Sequence, residues 1–185
     1  MRVIAGSARS LKLVTPEGMD TRPTTDRIKE TLFNIIQTEV PGARFLDLFS
    51  GSGGIGIEAL SRGAEYAVFV DNGKEAYDCI TRNLEHTRLS ERAKVCRQDV
   101  FTALASLEYK ERFDVIFMDP PYGQELERRV LEYLTMSSLI DEDSLLIFEA
   151  KIDTDIDYLE QLGYDLIKEK RYKTNKHVFV KRRKK

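Results

Sequence analysis

Phe45-Leu-Asp-Leu-Phe-Ser-Gly-Ser-Gly-Gly-Ile-Gly56 opens on an apolar run broken by one acid and ends in a glycine-rich turn. Phe45 to Phe49 read as a short strand, and Ile57, Ala59 and Leu60 carry the turn into a helix that stops near Gly63. Strand, turn and helix in that order begin an α/β unit. Gly51, Gly53 and Gly56 meet the G-x-G-x-x-G spacing in the context it requires. Missing side chains admit a ligand to the backbone, and the helix amides and dipole favour a negative group. Asp47, inside the strand, would repel a pyrophosphate but suits a cationic amino acid, held directly or through water. The second strand, Tyr66 to Val70, closes on Asp71 and Asn72, where an acid can accept both hydroxyls of a ribose.

The turn alone does not choose its ligand, because a nicotinamide-binding unit has the same glycines and the same acid. Asp47 points elsewhere, as does the lack of a second domain or a histidine placed to relay a proton. Downstream, Phe113-Asp-Val-Ile-Phe-Met-Asp-Pro-Pro-Tyr122 reads as a central parallel strand that ends abruptly. Pro120 and Pro121 have no amide proton and hold the preceding residues away from helix, so the chain leaves the strand stiff and extended. Open α/β sheets place their ligands at that carboxyl edge. The Asp119 carboxylate and the bare proline-segment carbonyls, beside the flat ring of Tyr122, suit a planar group carrying an amino nitrogen. A plainer reading is a Pro-Pro turn capping a core strand; the glycine turn upstream weighs against it.

The remaining elements complete a doubly wound pattern. A helix is expected from Gly73 to Leu89, with Asn83 as a surface or capping residue, then a strand from Ala93 to Arg97. Asp99, followed by Val100, has two readings: cap of the next helix, or acceptor for an adenine amino group. After Tyr122 come a helix from Gln124 to Thr135, a strand from Ser144 to Ala150 and a helix from Ile156 to Leu162. Tyr164 to Tyr172 and Val178 to Val180 form an antiparallel pair about a turn at Lys173 to Lys176. Before the glycine unit, Arg2 to Val14 suggest a hairpin with a basic tip, ended by Thr15-Pro-Glu-Gly18. Thr24 or Thr25 caps a helix with Ile28, Leu32, Ile35 and Ile36 on one face.

The length of 185 residues fits one domain, with residues 1–40 as a hairpin and helix extension and 41–185 as a Rossmann-like core. No signal peptide is read at the N-terminus and no apolar run approaches the roughly 20 residues that span a bilayer, so a cytoplasmic location is expected. Cys79 and Cys96 read as buried free thiols, and His86 and His177 as surface or helix-end residues, so no metal site is expected. A monomer is expected. The net charge of −2 hides an asymmetry: residues 1–29 hold six Lys or Arg against three acids, and residues 168–185 hold ten against one. The middle is correspondingly acidic, and two basic ends on an acidic body fit a polyanion lying across one face.

Asp47-Leu-Phe-Ser-Gly-Ser-Gly, Asp71, Asp99 and Asp119-Pro-Pro-Tyr122 resemble the motifs of class I S-adenosylmethionine-dependent methyltransferases that methylate amines. Arg22-Pro-Thr-Thr-Asp-Arg27, Glu30-Thr-Leu-Phe-Asn34 and Gly56-Ile-Glu-Ala-Leu-Ser-Arg-Gly-Ala64 resemble more particularly the RsmD family, bacterial methyltransferases of small-subunit (16S) ribosomal RNA that modify guanine N2. The resemblance implies a Rossmann-like, seven-stranded, mostly parallel sheet with one antiparallel strand, helices on both faces and an N-terminal hairpin. It implies S-adenosylmethionine as cofactor, with Asp47, Gly51, Ser52 and Gly53 at its methionine part, Asp71 and Asn72 at the ribose, Asp99 and Val100 at the adenine, and Asp119 beside it. Asp119, Pro120, Pro121 and Tyr122 would act on the acceptor amine. Arg2, Arg9, Lys12, Arg22, Arg27, Lys181, Arg182 and Arg183 would hold phosphates of ribosomal RNA in the small subunit or an assembly intermediate. Adenine-N6 methylation of DNA or RNA uses the same tetrapeptide and stays open; glutamine methylation expects asparagine at position 119, and a catalytically silent RNA scaffold has no reason to keep these residues.

Overall fold

The structure is a computed structural model that describes residues 1–16 and 25–184. Arg22, Thr24, part of the expected turn at Thr15 to Gly18, and Lys185 fall outside the described residues. The elements are α1 (Asp26–Ile35), β1 (Arg44–Leu48), α2 (Gly54–Ser61), β2 (Tyr66–Asp71), α3 (Lys74–Thr87), β3 (Ala93–Arg97), α4 (Val100–Leu107), β4 (Val115–Met118), α5 (Leu126–Leu134), β5 (Leu145–Lys151), α6 (Tyr158–Gln161), β6 (Tyr164–Arg171) and β7 (Asn175–Arg182). They form one seven-stranded sheet in the order β3-β2-β1-β4-β5-β7-β6, the Rossmann-like methyltransferase arrangement. β1 to β5 are mutually parallel, and β7 is antiparallel to both its neighbours.

The central strands β1, β2, β4 and β5 are apolar at most positions because each face carries its own core. Phe45, Ala67, Phe69, Val115, Phe117 and Ile147 face one cluster, with α1, α2, α3 and the N-terminal segment. Leu46, Leu48, Val68, Val70, Ile116, Met118, Leu146 and Phe148 face the other, with α4, α5 and α6. Period-2 side chains buried on both sides leave no polar alternation. Gly56 lets α2 lie close on β2, since a Cβ there would come 2.3 Å from the Phe69 ring.

The strand order puts the topological switch at β1. The chain runs outward through β2 and β3, then returns to lay β4 on the other flank of β1, so Leu48 pairs with Val70 on one side and Met118 on the other. A crevice opens between their carboxyl ends.

The N-terminal hairpin reduces to a single bridge between Arg2 and Lys12, fastened to α2 by a buried carboxylate. Glu58 accepts from the Ile4 amide (2.8 Å), the Ala5 amide (3.0 Å), Lys29 Nζ (3.2 Å) and Arg62 Nε (2.8 Å). Lys29, one of the six Lys or Arg in residues 1–29, is therefore interior; its Nζ also donates to the Arg2 carbonyl at 2.6 Å. Thr25 caps α1, its hydroxyl accepting from the Ile28 amide at 3.3 Å.

Four expectations are corrected. Asn83 is buried, and its amide nitrogen donates to the Val14 and Ser52 carbonyls at 2.9 Å each, tying the N-terminal segment to the glycine turn. The turn between the last strands is shorter than Lys173 to Lys176, because β7 already begins at Asn175 and Lys176 is buried with Nζ donating to the Thr154 carbonyl. His177 is fully buried in β7, opposite Glu149 of β5. Its ring fills space against Phe117 and Tyr172, which a surface residue would not. Cys79 is a buried free thiol, whereas Cys96 is partly exposed. Among the described residues no helix is long and apolar enough to cross a membrane.

Candidate active site

One row across the sheet reads Cys96, Val70, Leu48, Met118, Phe148 and Val178. One step beyond it toward the carboxyl edge lie Arg97, Asp71, Phe49, Asp119, Glu149 and His177. The last apolar residue of each buried strand is thus followed by a residue that need not be apolar, and three of these are acids. They open onto a cleft of 1230 Å³ that also takes in Asp47, Gly51, Ser52, Asn72, Asp99, Val100 and Pro120 to Tyr122. The two motifs read from sequence, far apart in the chain, therefore share one crevice.

The glycine turn is shaped by three residues with left-handed backbone, Phe49 (φ 60°), Gly51 (φ 55°) and Gly53 (φ 76°). Nothing lies within 4 Å of where a Gly51 Cβ would be, so the backbone there is bare for a ligand. Asp71 holds the turn from β2: Oδ2 accepts from the Gly51 amide at 3.0 Å and Oδ1 from the Gly73 amide at 2.9 Å. Each oxygen keeps a second lone pair for hydroxyl donors. Asp47 Oδ2 accepts from the Gly56 amide at 2.9 Å, serving the first turn of α2 from beneath. Asp99 is the cap of α4, Oδ1 accepting from the Phe101 and Thr102 amides at 2.9 and 3.3 Å. Among the described residues no group holds its Oδ2, which leaves that oxygen for a second donor.

Two of these acids, Asp47 and Asp119, resist ionisation. Burial, with the Asp119 and Asp71 charges, pushes Asp47 well above the usual carboxylate range against the pull of the Gly56 amide. Burial, and then the charge of Glu149, push Asp119 up to about 7. Among the described residues Asp119 has no hydrogen-bond partner. Such a site is completed by a cation, which would neutralise the buried negative charge.

On the acceptor side the Tyr122 ring is about half exposed, and its hydroxyl donates to Glu149 Oε1 at 2.6 Å. Lys151 Nζ stands 5.8 Å from the centre of that ring. Sequence reasoning passed over Glu149, although the signal was the one that exposed Asp71 and Asp119: an acid closing a buried apolar run.

Of the expected phosphate-binding residues, those among the described residues are not gathered at this cleft. Because β7 is antiparallel, Lys181 to Lys184 lie at the opposite edge of the sheet. There Arg182 donates to the Thr135 and Ile140 carbonyls, Arg183 pairs with Asp165, and Lys184 with Asp143. Arg9 is exposed at the tip of the N-terminal turn, which abuts Ser61 at the end of α2 remote from the glycines. Arg2 and Lys12 are exposed side by side, with Arg2 paired to Asp26, and Arg27 is exposed on α1. Among the described residues, none of these basic side chains lines the cleft.

The family model described as Conserved hypothetical protein 95 matches residues 1–181. The Bacillus subtilis (strain 168) protein YlbH, provisionally named an rRNA methyltransferase, is 40% identical over 90% of this chain and 90% of its own length. The Haemophilus influenzae protein named ribosomal RNA small subunit methyltransferase D is 34% identical over 92% of this chain and 88% of its own. Among solved structures, yhhF of Escherichia coli, provisionally named a methyltransferase, superposes with a TM-score of 0.85 at 28% identity, covering 100% of this chain and 99% of that one.

Proposed function

The chain belongs to the RsmD family, the family described as Conserved hypothetical protein 95, and from that premise we propose that it methylates ribosomal RNA of the small subunit, at the exocyclic N2 amine of a guanine. The observation that carries the reading is the shared crevice: the glycine turn leaves β1 and Asp119-Pro-Pro-Tyr122 leaves β4, adjacent strands at the switch point. The cofactor is S-adenosylmethionine, and the residues fit it. Its ammonium and sulfonium are the cations that crowded Asp47, Asp71 and Asp119 lack; Asp47, Gly51, Ser52 and Gly53 would hold the methionine part, Asp71 and Asn72 the ribose, and Asp99 and Val100 the adenine. When bound, it would supply an electrophilic methyl, the bond from carbon to sulfur breaking as the bond to nitrogen forms and a neutral thioether leaving.

The protein's task is then to make a poor nucleophile attack. The lone pair of an exocyclic amine is delocalised into its ring. Asp119, accepting one amine hydrogen, and the Pro120 carbonyl, accepting the other, favour a tetrahedral nitrogen and free the pair for attack. Pro121 keeps that carbonyl fixed, having no amide to exchange into another turn. Tyr122 stacks on the base once it has left its helix. After transfer the nitrogen carries positive charge and gives up one proton, which Asp119 takes before passing it to water.

The test is to incubate the protein with methyl-labelled cofactor and 30S particles, naked 16S RNA or DNA, then digest and identify the labelled nucleoside. N2-methylguanosine from particles or rRNA is expected. N6-methyladenosine would establish the adenine reading in its place, and no transfer to any of the three would end both.

A further inference from the structure

Behind the proposed acceptor site runs a buried chain of polar contacts that the reaction as described does not use. Tyr122 Oη donates to Glu149 Oε1 at 2.6 Å, and Glu149 Oε2 lies 3.2 Å from His177 Nε2. His177 Nδ1 is in turn 3.4 Å from Tyr172 Oη. One tautomer satisfies every contact: Nε2–H donates to Glu149, and Nδ1 accepts from the Tyr172 hydroxyl. Glu149 is 8% exposed and His177 0%, and the two face each other directly across β5 and β7. The His177 ring is wedged edge-on between Phe117, 5.8 Å away, and Tyr172, 5.2 Å away. A buried carboxylate and a buried imidazole are costly in a β-sheet where apolar residues would pack, and a half-exposed tyrosine gains little stability from being fastened to them. Their common feature is the ring they hold.

We propose that Glu149, backed by His177, is a positioning residue of this site: it fixes the plane of the Tyr122 ring against which the acceptor base stacks. Resting on the function proposed above, the inference names how that site is held in register. The rest of the surroundings fit. Facing Glu149 are Asp119 and Tyr122 from the loop after β4, His177 and Asn175 from β7, Tyr172 from the turn before it, and Lys151 at the end of its own strand. Burial raises the Glu149 carboxyl, but hydrogen bonds from His177, Tyr122 and Asn175 outweigh it and hold the group ionised below the ordinary glutamate range. That retained charge is the neighbour that lifts Asp119. One residue thus anchors the ring and makes Asp119 a stronger proton acceptor.

Two variants separate the two effects. Glu149→Gln keeps an oxygen for the Tyr122 hydroxyl but removes the charge; Tyr122→Phe keeps the ring but removes the anchor. In a carbon-13 NMR titration of the Asp119 carboxyl, which needs no RNA, Glu149→Gln should lower its midpoint by about one pH unit. Tyr122→Phe should lower kcat on the RNA substrate roughly tenfold with cofactor Kd unchanged. An unchanged Asp119 midpoint in folded Glu149→Gln, or wild-type kcat in Tyr122→Phe, overturns the proposal. Failure of the wild-type protein to methylate any RNA overturns the function proposed above, while the titration still decides whether Glu149 governs Asp119.

Discussion

Asp119 has no protein partner among the described residues, yet burial and the charge of Glu149 make its own charge expensive. If it accepts the amine hydrogen, Asp119→Ala should cut turnover by at least about a hundredfold while cofactor affinity stays within about threefold. Equilibrium titration of cofactor and single-turnover methylation check the two halves separately. Because the ionised form is the acceptor and the group is pushed up to about 7, kcat/KM should rise with pH through that value and level off above it. Asp47 makes a different prediction. An acid that holds its proton more tightly folded than unfolded contributes stability that is full below the ordinary aspartate range and is lost as pH rises through the folded value. At neutral pH, Asp47→Asn should therefore stabilise the ligand-free protein by about 1 kcal/mol, roughly 2–4 °C in Tm, while cofactor affinity falls. Calorimetry with and without cofactor reads both; a destabilised ligand-free variant would contradict the account of Asp47 as an uncompensated buried acid.

Among the elements, α2 carries the most. Its first turn completes the glycine loop, and its middle presents Glu58 to the N-terminal segment. Met1, at the end of that segment, lines the cleft, so Glu58 links the hairpin to one wall of the site. Glu58→Ala would leave Lys29 buried without its counter-charge and should cost about 3–5 kcal/mol. Denaturant unfolding measures the loss, and hydrogen exchange should show residues 1–14 opening ahead of the sheet. Gly56→Ala should also destabilise, by about 1–3 kcal/mol, because Phe69 would have to move. Neither role is written in a local pattern. Glu58 reads as an ordinary helical acid, and Lys29 as one more charge on the basic N-terminal end; only the packing of α1 against α2 shows them to be partners.

For the whole molecule, electrostatics and topology divide the basic residues. The carboxyl edge that bears the cleft has Lys151 and Lys173, both exposed, with no ion-pair partner among the described residues. Lys181 to Lys184 are at the other edge, mostly held by acids or carbonyls. Reversing Lys151 and Lys173 to Glu should weaken RNA capture and flatten its salt dependence more than reversing Arg182 and Arg183. Filter binding across a salt series compares the pairs; equal losses would mean that the RNA wraps both edges.

The sequence by itself determined the strands, the glycine turn, and the acids that close the buried runs, because backbone freedom at glycine, proline's missing amide and apolar continuity are local properties. That is why Asp47, Asp71 and Asp119 could be singled out before any coordinates. It also offered both readings of Asp99, of which the cap of α4 is now seen. Only the tertiary structure decided which strand ends are neighbours, since pairing β1 with β4 as well as with β2 leaves no mark in either stretch. The pairing of β5 with β4 on one side and β7 on the other decided that Glu149 meets Tyr122 and that His177 lies behind them. It also carried the basic C-terminus away from the cleft, because one antiparallel strand reverses where the chain must end.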